Sequence, residues 1–167
     1  MFSRARIHLR GHCRRVIFSL LIAAALGSAQ CSMVYSFQAT LVAEPSSPET
    51  VKKLKVASVQ HELILLLIEN KSFDTIDSEW KKVLALKLDA KYEGAIAQSV
   101  LKIGLKLSDA GQLALAQQIL DESLASVPFS KKNQSDIWRF KAYLFKEAGD
   151  LDSAIQALKH ASELIEK

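Results

Sequence analysis

Cysteine is nearly missing from this chain, with two in 167 residues, Cys13 and Cys31. Cys13 lies in a leader that is expected to be removed, and the single remaining thiol builds neither a disulfide framework nor a cysteine metal site. Proline is just as sparse, and after Val51 the only one is Pro128. Little therefore interrupts long helices. The six glycines form no Gly-rich phosphate loop, and there is no His-Glu-x-x-His and no Cys-His pair. The apolar run VIFSLLIAAALGSA near the N-terminus is shorter than the roughly 20 residues that span a bilayer, although the chain stays uncharged and fairly apolar to Ala43. Carboxylates are absent from the start of the chain, where the first is Glu44. That absence accounts for the formal charge of +4, because Arg4, Arg6, Arg10, Arg14 and Arg15 crowd the N-terminus. Beyond residue 29, 17 Lys and Arg face 18 Asp and Glu, a net of −1. A nucleic-acid interface, which needs a basic face to neutralise phosphates, loses its support.

What the N-terminus does contain is an arginine-rich start, the run VIFSLLIAAALGSA, and then small residues. This is the layout of a secretory signal peptide over residues 1–29, with Gly27 and Ala29 at −3 and −1 of a cleavage site. The expected location is therefore exported, periplasmic or secreted, with a membrane anchor as the alternative if the leader stays. Arg14-Arg15 before the apolar run also resembles a twin-arginine export signal. Cys31 is a candidate lipidation site, although Ser28 and Gln30 stand where a lipobox has Leu and a small residue. Residues 30–50, ending in EPSSPET, read as a linker or tail. Residues 51–167 read as one helical domain, because apolar residues recur at spacings of three and four with no strand-like alternation.

Within that domain SDAGQLALAQQIL (108–120) echoes in KEAGDLDSAIQAL (146–158), 38 positions later. Both read Ala-Gly-x-Leu-x-x-Ala-x-x-x-Leu. Gly111 and Gly149 supply the permissive backbone for a reversal between two helices. Small Gly104 and Ala116, or Ala142 and Ala154, let paired helices approach, while Leu107 and Leu120, or Trp138, Phe145 and Leu158, fill the space beside them. FSKKNQ (129–134) reads as a loop that stretches the period. These spacings resemble the tetratricopeptide repeat (TPR), a pair of antiparallel helices, with two copies over about 97–167. A weaker copy over about 57–90 has Ile76 and Trp80 at the Ala and aromatic positions. Ser123 stands where the family has Ala, Leu107 where it has Tyr and Lys141 where it has Leu. The resemblance implies an all-α fold of antiparallel hairpins stacked as a short TPR-like α-solenoid.

The same resemblance implies a concave face that holds a protein or peptide partner. Its groove positions transfer to Lys102, Leu105 and Asp109 in one copy and to Arg139, Tyr143 and Lys146 in the next. His61, Glu62 and Leu65 are the equivalents in the weaker copy. The Lys and Asn clamp that some members use for a C-terminal carboxylate is not matched, since Leu101, Leu105, Arg139 and Tyr143 fill those positions. His61 and His160 read as surface histidines. Asp121-Glu122 and Asp150/Asp152 read as structural, the latter as negative charge at a helix start. NKS (70–72) and NQS (133–135) match the glycosylation sequon. The expected function is a non-catalytic, cofactor-free scaffold at the cell envelope. The alternative is self-association through the open C-terminal end, burying Ile155, Leu158 or Leu164.

Overall fold

The computed structural model describes residues 47–166, so the leader, its cleavage position and Cys31 lie outside the described residues. Within them the chain is all-helical, and no strand occurs among the described residues. The helices are α1 (Pro48–Glu69), α2 (Ile76–Ala85), α3 (Glu93–Asp109), α4 (Leu113–Ser126), α5 (Lys131–Glu147) and α6 (Leu151–Glu166). Single 3-10 turns at Phe73–Thr75 and Ala90–Tyr92 precede α2 and α3. Chain neighbours pack as hairpins, α1 on α2, α3 on α4 and α5 on α6. The hairpins also meet each other, through α1 with α3, α3 with α5, α2 with α4, and α4 with α5. No described helix is long and apolar enough to cross a membrane.

The helix ends follow from local chemistry. Ser47 caps α1 by accepting the Thr50 N–H, with Pro48 in the first turn, where its missing N–H costs nothing. The helix thus starts three residues before the boundary at Val51 read from the sequence. Asp150 accepts the Ser153 N–H at 3.0 Å at the start of α6, and hydrogen bonding from the Ser153 hydroxyl, together with this N–H, holds its carboxyl below the usual range. Residues 131–134, expected in a loop, form the first turn of α5 instead. Buried Phe129 anchors the preceding connection, and its carbonyl accepts from the Gln134 side chain at 2.7 Å.

Three hairpin turns share one hydrogen-bond pattern. Gln112 N bonds Leu107 O and Gly111 N bonds Ser108 O; Asp150 with Phe145 and Gly149 with Lys146 repeat it. The first hairpin does the same with Ser72 to Leu67 and Lys71 to Ile68. Each is a Schellman closure, whose pivot needs a left-handed backbone. Gly111 (φ 77) and Gly149 (φ 82) adopt it freely, and Lys71 adopts it too (φ 58). Lysine hides in the sequence a turn that glycine advertises elsewhere.

The core is continuous across the hairpins. Trp80, Val100, Ile103, Leu107, Ile119, Leu120, Ile137 and Leu144 are fully buried in it, and Ile76 is accommodated there as well. One assignment made from spacing changes. Leu158, expected to fill the third hairpin, is exposed, because α6 turns Ala154, Ala157 and Ala161 inward. The space beside Gly104 is taken most closely by the Phe140 ring of α5, in the next hairpin.

Replacing Lys71 by Gly should stabilise the protein by about 1 kcal/mol, by relieving a side chain held in the left-handed region. Gly111→Ala should cost a similar amount, although no atom lies within 4 Å of the added Cβ. Urea denaturation of both variants checks the pair. A neutral Lys71→Gly would mean that the turn carries no strain.

Candidate functional site

The α3–α5 contact opens to solvent as a concavity of about 570 Å³. One face of α3 contributes Leu101, Lys102 and Leu105, and one face of α5 contributes Asp136, Arg139, Phe140 and Tyr143. The spacing on α5 is the i, i+3, i+4, i+7 set that shares a helix face. Of the six groove positions inferred from the sequence, Lys102, Leu105, Arg139 and Tyr143 line this single depression. Asp109 and Lys146 are exposed at the last turns of the same helices, outside its wall. Asp136, Leu101 and Phe140 also line it. Asp136 was legible in principle, since it stands three residues before Arg139 and seven before Tyr143.

Phe140 and Tyr143 stack with ring centroids 5.7 Å apart, forming an aromatic platform. A Cβ on Gly104 would lie 2.7 Å from Phe140 Cε1, so the missing side chain is what lets the ring lie against α3. Leu105 and Tyr143 remain exposed around this apolar floor. Lys102 and Arg139 give the rim positive charge, while the Asp136 carboxylate is engaged by Lys132 at 2.8 Å. The arrangement suits an apolar side chain flanked by a carboxylate.

The weaker-copy positions do not join this groove. Leu65 is buried and Glu62 is exposed on α1. His61, expected on the surface, is buried and shares a 2.6 Å hydrogen bond between its Nδ1 and Ser99 Oγ of α3. Burial lowers its pKa to about 4, helped by the nearby Lys102 charge. A Ser-His pair invites a catalytic reading, but the geometry is unsuited to one. Both residues sit mid-helix, where backbone N–H groups are committed to the helical ladder and cannot form an oxyanion hole. His160 is exposed and edge-on to Trp138, with centroids 4.5 Å apart. Among the described residues no group of three or more His, Cys, Asp or Glu could hold a metal.

Other departures from the repeat pattern become intelligible. Ser123 accepts the Trp80 indole N–H at 3.0 Å and donates to the Ile119 carbonyl at 2.6 Å, fully buried. Lys141 is buried beneath an ion pair with Asp121 at 2.5 Å and lies 4.0 Å from the Trp138 ring centroid. Asp121-Glu122 thus serve packing, with Glu122 also paired to Lys81 at 3.2 Å.

Two outcomes are expected. Gly104→Ala should cost on the order of 1 kcal/mol, as overpacking against Phe140 exceeds the gain in helix propensity, and Phe140→Leu should recover it. Greater stability of the single variant in urea would show that the ring shifts freely. For His61 the folded pKa near 4 lies below the unfolded value of about 6.5, so the neutral form is favoured by folding. Its contribution is complete above about pH 6.5 and is lost as pH falls toward 4. Between pH 7.5 and 5 stability should drop by about 2 kcal/mol. The drop should be largely absent in His61→Asn, measured by urea titration at each pH.

No family model, no curated protein and no solved structure matches this chain.

Proposed function

We propose that the protein is an exported, non-catalytic scaffold of the TPR type, a short α-solenoid whose concave face binds a protein or peptide partner at the cell envelope. The observation that carries this reading is the convergence of Lys102, Leu105, Arg139 and Tyr143 on one depression between α3 and α5. The shared turn geometry of the three hairpins and the contacts of α1 with α3, α2 with α4 and α3 with α5 support the solenoid. Support for export comes from the leader, and Cys31 remains the candidate for lipid attachment.

The groove suits a partner segment with an apolar anchor and a nearby acidic residue. Leu105 and the Phe140–Tyr143 platform would take the anchor, and Arg139 with Lys102 the carboxylate. The combination of Arg and Tyr at an i, i+4 spacing provides the side-chain types enriched at binding hot spots. Such a site needs no cofactor. A second reading, self-association as a structural module, is favoured by exposed Ile155 and Leu158 on α6.

The test compares the native chain with Arg139→Ala/Tyr143→Ala in affinity capture from the envelope fraction, followed by direct titration of the captured protein. The double variant should keep its helical circular dichroism and bind at least roughly tenfold more weakly. Equal binding by both proteins would move the partner to another face.

A further inference from the structure

The amphipathic pattern of α6 is inverted. Its small residues Ala154, Ala157 and Ala161 face α5, while Leu151, Ile155, Leu158 and Ile165 point outward and are exposed. The shared turn gives a register for judging this face. Nine residues after each turn glycine stand Leu120 in α4 and Leu158 in α6, 0 % and 52 % exposed. Leu120 lies on a helix that α5 packs against; α6 has no described helix beyond it.

The opposite end shows the complementary feature. Counting back from the turn pivots Lys71 and Gly111, Val59 of α1 takes the place of Ser99 in α3, and Leu63 that of Ile103. Val59 is 69 % exposed and Ser99 8 %. Ser99 meets His61 of α1, so this face of α3 looks back at the preceding hairpin. On α1 the same face carries Val56, Val59, Leu63 and Leu66, all exposed. Each end of the domain thus presents one half of the interface that joins hairpins inside it.

We propose that these halves meet in successive copies of the chain, with α6 of one copy seated antiparallel against α1 of the next. Charge selects the partner. Inside the chain Asp121 of α4 pairs with Lys141 of α5. Carrying that register to the ends sets Lys159 of α6 level with Leu63 and next to Glu62 of α1, Asp152 level with Asn70 and next to Lys71, and Glu166 level with Val56 and next to Lys55, with Glu163 one turn away. All three meetings are between opposite charges around an apolar centre, as complementary interfaces require. The contact is heterologous, so it continues as an open filament unless its rotation closes a ring. It deepens the self-association reading, rests on it, and leaves the α3–α5 groove to its own ligand.

The full chain would be followed by light scattering and sedimentation across concentration. One variant, Ile155→Glu/Leu158→Glu, spoils α6; another, Val59→Glu/Leu63→Glu, spoils α1. Both alter exposed positions, and circular dichroism confirms their folding. The native chain should grow beyond a dimer as concentration rises, and each variant alone should run as a single chain. Mixed together, the variants should form a two-chain complex and stop, because one intact α1 and one intact α6 remain. Glu163→Lys/Glu166→Lys in one member should weaken that complex roughly tenfold, with Lys55→Glu in the other restoring it. Dimers that survive in the α1 variant but not the α6 variant would show α6 pairing with itself and overturn the head-to-tail contact, while leaving self-association standing. A native chain of single mass at every concentration would overturn both.

Discussion

The hydrogen bond from the Trp80 indole to Ser123 Oγ joins the first hairpin to the second at a point fully closed to water. Buried donors and acceptors are costly when unpaired, so α2 and α4 must meet in the one register that satisfies this pair. Ser123 also donates to the Ile119 carbonyl, which fixes the direction of its hydroxyl. Similar ties hold the other junctions. His61 and Ser99 link α1 to α3, and Lys141 and Asp121 link α5 to α4. Leucine and isoleucine supply most of the burial between these helices, but apolar contacts alone tolerate sliding. The polar pairs select among the packings that apolar burial permits.

The groove depends on that register. Phe140 reaches the backbone of α3 only where Gly104 leaves a gap, and one helical turn away in either direction stand the larger side chains Val100, Leu101 and Leu107. Correct seating stacks Phe140 on Tyr143 and brings Arg139 opposite Lys102. The same junctions explain the ends. α1 and α6 each leave exposed an apolar flank whose counterpart on α3 or α4 is buried. Buried Leu120 and exposed Leu158 share a motif position and differ only in having a neighbour.

Much of this was legible from residues alone, and the failures share a cause. The reversals at Gly111 and Gly149 could be read because glycine marks a left-handed backbone; the identical reversal at Lys71 could not, since nothing local distinguishes that lysine. The groove positions Lys102, Leu105, Arg139 and Tyr143 came from the family resemblance, and these four line one depression. Asp109 and Lys146 lie on the same helices but beyond the curvature of the wall. His61 reads as a surface histidine until its partner, Ser99, is known, because that partner is 38 positions away and on another hairpin. Ser123 and Lys141 read as defects in an apolar pattern, although each answers a residue of a neighbouring hairpin.

By itself, then, the sequence determined the helical class, the two glycine turns and the face of α5 that carries Arg139 and Tyr143. These depend on spacing and backbone preference within a few residues, and no distant partner is needed to read them. The tertiary structure alone decided which small residue faces which ring, which polar residues are buried in pairs, and which apolar faces remain uncovered. Those outcomes depend on residues roughly one hairpin apart. Local periodicity says that a helix has an apolar side, but only the packed neighbours determine whether that side is covered.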